Sequence, residues 1–175
     1  YHGMDELKTL DYIKNNDIID AGAFIGDSAL ILSKYTEKKV YSFEAIESNC
    51  ELFKKTIEYN KLDNIVIENK ALGDYSGQIT FYESEIMDES SYIPVDGNEK
   101  KLTVDCVTID EYVEKNSLRV GLIKTDVEGA EQNLLKGAMN TSKIINGTER
   151  TKFTVVFINK YVIANGKIDD VLTEE

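Results

Sequence analysis

Two stretches of this chain join small turn-forming residues to acids at a spacing that suits chemistry. The first is Asp20-Ala21-Gly22-Ala23-Phe24-Ile25-Gly26-Asp27-Ser28, which follows an apolar run and opens into a helical pattern. Gly22 permits a tight turn, and Ala23 is small enough for a ligand to approach the backbone. Gly26 lets the helix pack close, with its free N–H groups and positive dipole end facing that ligand. Asp27 or Ser28 is the expected N-cap. Glu44 closes the next apolar run, 22 residues after Gly22, and a carboxylate there can accept both hydroxyls of an adenosine ribose. Turn, helix start and acid together point to a cofactor with a nucleoside in it. The alternative is a plain strand-to-helix turn with a surface glutamate.

The loop chemistry narrows the cofactor. A dinucleotide needs open backbone for its pyrophosphate, as in GxGxxG, and here Phe24 stands at the second glycine position. S-adenosylmethionine has no phosphate, and its cationic sulfonium and amino groups suit an acid at the strand end, as Asp20 offers. S-adenosylmethionine is therefore the expected cofactor.

The second stretch is Ile123-Lys124-Thr125-Asp126-Val127-Glu128-Gly129-Ala130-Glu131, another strand end turning through glycine into a helix. Asp126 and Glu128 share a side if the strand persists that far. Transfer of a methyl group to a hydroxyl requires loss of its proton, so a carboxylate within reach serves as general base. Asp126 is the first candidate and Glu128 the second. The competing role for these acids is capping the next helix, and Glu131 fits that role best.

The elements that must position these residues alternate. Strand candidates are Asp17 to Ala21, Val40 to Phe43, Ile65 to Ile67 (running on toward Ala71-Leu72-Gly73), Leu122 to Thr125 and Phe153 to Ile158. Helical patterns run from Ser28 to Tyr35, from Ser48 to Tyr59 with Leu52, Phe53, Thr56 and Ile57 as one stripe and Glu51 set to pair with Lys55, and after Gly129. Gln78 to Tyr82 and Leu102 to Val107 read as a strand pair around a polar loop from Glu83 to Lys101. The alternation predicts an α/β fold: one doubly wound, mostly parallel sheet with helices on both faces and ligands beyond the carboxyl ends of its strands.

Composition sets the limits. The 175 residues form one expected domain, 1–175, without repeat or linker, and 42% are apolar. With 20 basic against 32 acidic residues, net −12, the surface repels a phosphate backbone, so nucleic acid is not an expected partner. No apolar run approaches membrane-spanning length and no signal pattern opens the chain, which predicts a cytoplasmic protein without a membrane partner. His2 is the single histidine, which excludes histidine triads and histidine-rich metal sites. Cys50 and Cys106 lack metal or disulfide spacing and are expected as free thiols. No metal site is expected.

The stretches DIIDAGAFIGDSALIL (Asp17 to Leu32), VYSFEAIESN (Val40 to Asn49), NKALGDYSGQITF (Asn69 to Phe81) and LIKTDVEGAEQNLLKGA (Leu122 to Ala138) resemble the FkbM-type S-adenosylmethionine-dependent methyltransferases, across about residues 15 to 140. The resemblance implies a Rossmann-like class I methyltransferase fold. It implies that Asp20 to Ser28 and Glu44 bind S-adenosylmethionine, that Asn69, Ala71 and Leu72 lie along the adenine, and that Asp126 and Glu128 stand near the methionine end or the acceptor. It also implies O-methylation of a sugar or secondary-metabolite hydroxyl, so a small molecule or glycan is the expected acceptor. The chain departs from the family at Phe24, where Asn is common, and in its tail 141–175, which lacks the aromatic-histidine pair. The divergent tail predicts a sheet incomplete at its C-terminal side and, as an alternative, a truncated or non-catalytic nucleoside-binding module. A homo-oligomer is among the partners to be considered, and a nucleotide-dependent oxidoreductase on a related sheet is a further alternative, which the missing second loop glycine speaks against.

Overall fold

Adjacent apolar residues in a strand face opposite sides of the sheet, so runs such as Ile18-Ile19 and Leu122-Ile123 demand cover on both faces. In a computed structural model, which describes residues 10–83, 90–91, 100–127, 129–141, 154–157 and 164–165, they have it. The elements are α1 (Leu10–Lys14), β1 (Asp17–Ala21), α2 (Asp27–Leu32), β2 (Val40–Phe43), α3 (Glu47–Asn60), β3 (Ile65–Glu68), β4 (Ala71–Leu72) and β5 (Gly77–Glu83). They continue with β6 (Ser90–Ser91), β7 (Lys100–Val107), α4 (Ile109–Asn116), β8 (Val120–Thr125), α5 (Glu131–Lys136), β9 (Thr154–Phe157) and β10 (Ala164–Asn165).

Six strands form the main sheet in the order β10-β9-β8-β1-β2-β3. All its pairs are parallel except β10 with β9, so the doubly wound, Rossmann-like sheet expected from the alternation is present. The chain winds outward from β1 through β2 to β3, then crosses back to place β8 on the other side of β1. That reversal makes the β1/β8 junction the switch point. Ile19 and Ile123 enter one core with Phe43, Ile109, Tyr112 and Leu134, while Ile18 and Leu122 enter another with Ile13, Leu32 and Val40. Tyr112 stands edge-on to Phe43 at 4.9 Å between ring centres and donates its hydroxyl to Glu68 Oε1 at 2.8 Å.

Several local expectations change. The strand from Ile65 does not run on: β4 leaves the main sheet and joins a second one, ordered β4-β7-β5-β6. The pair β5/β7 is antiparallel as expected, but Ser90 and Ser91, placed in the polar loop by sequence, form a strand against β5. Helix α2 stops at Leu32, and its N-cap is Gly26 with no side-chain cap bond, because the Ser28 hydroxyl is turned inward. On α3 the buried residues are Cys50 and Phe53, whereas Leu52 is 48% exposed, so the apolar stripe is narrower than its spacing suggests. Glu51 pairs with Lys54 at 2.6 Å instead of Lys55.

Candidate functional site

Three strand ends converge at the switch point: the Gly22 turn after β1, Glu44 after β2 and Asp126 after β8. Gly22 has φ +71°, and a Cβ added there would stand 1.8 Å from the Asp126 carbonyl oxygen. Its smallness therefore serves contact between the two site loops. Asp126 N donates to Ala21 O at 3.0 Å and fastens the same junction. At Gly26, φ +90°, an added Cβ would stand 2.1 Å from the Phe53 ring, so this glycine seats the start of α2 on α3 as expected. Ala23 is buried against Ala29 and Phe53, so its small side chain serves helix packing. Phe24, by contrast, is half exposed and takes φ +48°, a left-handed conformation that a bulky residue adopts only when its surroundings impose it.

Glu44 supplies that constraint. Its Oε2 accepts from Phe24 N at 2.9 Å, and its Oε1 accepts from Ile46 N at 2.8 Å and Asn49 Nδ2 at 3.2 Å. Burial raises its pKa, opposed by those three hydrogen bonds and by the positive charge of Lys124. Asn69, expected along an adenine, donates its amide to the carbonyls of Glu44 and Ala45 at 2.9 and 3.0 Å and so braces the loop that carries the acid. Ala71 and Leu72 are both buried and pair with Cys106 and Val107 of β7; they back the site from the second sheet.

The turn that precedes α2 uses its own N–H groups inside the protein. Gly22 N and Ala23 N donate to Phe43 O at 3.1 and 3.0 Å, and Gly26 N donates to Ala23 O at 2.8 Å. With Phe24 N held by Glu44, four loop donors are spent inside the protein. A phosphate cradle needs donors that face its ligand, and these four do not.

Asp20 and Ser28 are likewise turned inward. Asp20 is fully buried, and its Oδ2 accepts from the hydroxyls of Ser28 at 2.8 Å and Ser42 at 3.3 Å. Its Oδ1 lies 3.0 Å from Lys124 Nζ, with both side chains at most 2% exposed. The two are register partners on neighbouring parallel strands, which puts their side chains on the same face. Lys124 Nζ also donates to Gly22 O at 2.7 Å and Ala21 O at 3.3 Å. The sequence reading gave Lys124 no role. A lysine inside an otherwise apolar strand was the available signal, since such an ammonium needs a buried acid beside it.

Asp126 is half buried. Burial raises its pKa most, Lys124 opposes this, and Glu131, Asp20 and Asp27 add to it. Glu128 lies outside the described residues. Glu131 Oε1 accepts from Gly129 N at 3.3 Å, outside the helix; α5 has no side-chain cap bond, so of the capping expected of Glu131 only the favourable placement of an acid in the first turn is present. Among the described residues, no group of three or more His, Cys, Asp or Glu side chains is placed to hold a metal ion, and no helix is long and apolar enough to cross a membrane.

With Asp20 paired to Lys124, Glu44 and Asp126 are the described acids that end the strands β2 and β8 at the switch point. Glu44 Oε2 accepts one bond from the protein, and a carboxylate oxygen can accept two, so it retains capacity for a hydroxyl. This donor set fits a cationic, hydroxyl-bearing nucleoside and does not fit a pyrophosphate.

Known proteins resemble this chain in sequence and in fold. The chain is 30% identical over 142 residues to hexuronic acid methyltransferase AglP of Haloferax volcanii, covering 78% of this chain and 56% of that protein. It is 27% identical over 142 residues to Methyltransferase 1 of Beauveria bassiana, covering 69% of this chain and 57% of that protein. The chain thus spans about half the length of these curated relatives. Among solved structures, an rRNA methylase from Streptococcus thermophilus aligns at TM-score 0.48 and 13% identity, covering 94% of this chain and 72% of that one. The family model of the methyltransferase FkbM domain matches residues 20–174, past residue 140 where the quoted motifs end, and the chain belongs to that family.

Proposed function

We propose that this domain is an S-adenosylmethionine-dependent O-methyltransferase acting on a hydroxyl of a sugar or secondary metabolite. The observation that carries the reading is the inverted character of the first turn: the N–H groups of Gly22, Ala23, Phe24 and Gly26 are used internally while Glu44 and Asp126 gather at the switch point. Such a site attracts a cation and has little to offer a phosphate. The same feature argues against the nucleotide-dependent oxidoreductase. The sugar acceptor is supported by the similarity to a hexuronic acid methyltransferase, and the acidic surface of the chain disfavours nucleic acid.

S-adenosylmethionine, when bound, supplies an activated methyl group, and the protein supplies alignment and proton removal. Glu44 accepts the ribose hydroxyls from a carboxylate fixed by three hydrogen bonds. The Gly22 turn and Phe24 form the wall beside it. Asp126 accepts the proton of the acceptor hydroxyl; its raised pKa moves it from a weak base toward one matched to neutral pH.

Calorimetry with S-adenosylhomocysteine tests the cofactor, and a panel of hexuronic acids and other sugar hydroxyls tests the acceptor. Glu44→Ala is expected to weaken S-adenosylhomocysteine binding by more than about tenfold, since a hydrogen bond to a charged group contributes roughly 1.5–3 kcal/mol. Asp126→Asn is expected to keep that affinity within about tenfold while turnover falls at least about 100-fold. Tight binding with no turnover on any hydroxyl would favour the non-catalytic module instead.

A further inference from the structure

We propose that Lys124 is a positioning residue for this site: its buried ammonium holds the turn after β1 in register with Asp126 and balances the acids around it. This rests on the reading of Asp126 as the base, but its test does not depend on turnover.

The geometry is specific. A lysine ammonium has three protons, and Lys124 Nζ donates to Gly22 O at 2.7 Å, Ala21 O at 3.3 Å and, at the long limit of 3.5 Å, Ser28 Oγ. Asp20 Oδ1, 3.0 Å away, is its ion-pair partner and has no hydrogen bond of its own. Ala21 O also accepts from Asp126 N at 3.0 Å, so the ammonium and the backbone of Asp126 meet at one oxygen. Lys124 thereby fixes two consecutive carbonyls of the turn that Asp126 packs on, where Gly22 leaves no room for displacement.

A well-packed apolar pair would be as stable as this buried ion pair or more so. An apolar pair, however, cannot orient the carbonyls of residues 21 and 22. Nor can it supply the positive charge that opposes the acids acting on Asp126, which among the described residues include Glu131 on α5, Asp20 on β1 and Asp27 on α2. Without Lys124 that opposition is lost, and the proton of Asp126 would be held more tightly.

The test uses the full chain with Lys124→Met, the double variant Lys124→Met/Asp20→Asn, and Lys14→Met as a control at the far end of the sheet. The single variant leaves the Asp20 carboxylate buried without its ion-pair partner, whereas the double variant removes both charges of the pair and leaves no buried charge to unfold it. Side-chain carboxyl NMR follows the titration of Asp126, with S-adenosylhomocysteine affinity measured in parallel. The expected result is an upward movement of the Asp126 midpoint in both Lys124 variants and at least tenfold weaker binding in the double variant, with neither change in the control. A double variant that folds, binds like wild type and leaves the midpoint in place would overturn the proposal. Absence of S-adenosylhomocysteine binding by the wild-type chain would overturn the cofactor reading alone, and the Asp126 midpoint would still decide the role of Lys124.

Discussion

The two ends of the parallel sheet use the same residue types to different effect. Asp17 opens β1 and Asp20 lies three residues on. At the amino end, Asp17 accepts from the backbone N–H groups of Lys39 and Arg119 at 3.3 and 3.2 Å, and nearby Lys14 pairs with Glu37 at 3.2 Å with both side chains more than half exposed. At the carboxyl end, Asp20 and Lys124 form their pair at 3.0 Å with almost no exposure. Water competes for the first set of charges and screens them. It is excluded from the second, so each charge there must be matched by a partner, and losing one partner strands the other. The proposed site sits where charges are dry, and the stability of that end depends on their pairing.

The sharpest way to break this comparison is to delete one lysine from each end. Lys124→Ala is expected to cost about 3–5 kcal/mol, because it leaves an uncompensated buried carboxylate and unmatched carbonyls. Lys14→Ala is expected to cost less than about 1 kcal/mol. Urea denaturation of both variants reads the difference. Similar small losses would mean that water reaches the carboxyl end, and the contrast would collapse.

Glycines offer a second comparison. At Gly22 an alanine would need a left-handed conformation and would press on the Asp126 backbone, for an expected cost of about 2–4 kcal/mol. Gly121 lies near the amino end, where α1 passes over β8. An alanine there would meet Asn16 Cβ at 3.0 Å and Ile13 Cα at 3.1 Å, which asks the helix to give by a few tenths of an ångström. About 1 kcal/mol is expected. S-adenosylhomocysteine affinity should fall for Gly22→Ala and hold for Gly121→Ala. Equal loss at both positions would show that general packing, and not the site junction, sets the affinity.

Much of this architecture was legible because its signals are local. β1, β2 and β8 are apolar runs closed by turn residues, and the acids after them follow from strand ends alone. Lys124 was written in the same motif as Asp126, yet its function depends on the register that places it against Asp20, 104 positions away, which no local pattern encodes. Helix α4 was missed although a signal existed: Thr108 and Glu111 have capping-box spacing, and Thr108 Oγ1 does accept from Glu111 N at 3.1 Å. The reciprocal half of the box is supplied from outside the helix, since Ser76 Oγ accepts from Thr108 N at 3.2 Å and donates to the Glu111 carboxylate. The departure of β4 from the main sheet was illegible for a related reason: Ala71-Leu72 is apolar in either sheet, and pairing with β7 decides between them.

The smallest expected effect asks whether the dry charges of the carboxyl end are felt beyond their own contacts. Cys50 lies behind Glu44, its Sγ 3.5 Å from that residue's carbonyl oxygen, and its thiol pKa is pushed up to about 11, by burial first and by the Glu44 charge second. Cys106, in the second sheet, is raised by burial and then by Asp74. Below its raised pKa a thiol stays neutral and reacts slowly, so both cysteines should resist alkylation in the native protein at pH 8. Glu44→Gln removes the negative charge and keeps the volume. The Cys50 pKa should then fall, though burial keeps it above the ordinary thiol value, and alkylation at pH 9 should quicken severalfold. Cys106 should keep its rate and serve as the internal reference, each site being followed by peptide mass mapping. An unchanged Cys50 rate would mean that the hydrogen bonds from Phe24, Ile46 and Asn49 screen the carboxylate fully. The carboxyl end would then be a set of independent, locally satisfied charges, no more coupled than the exposed pairs at the other end of the sheet.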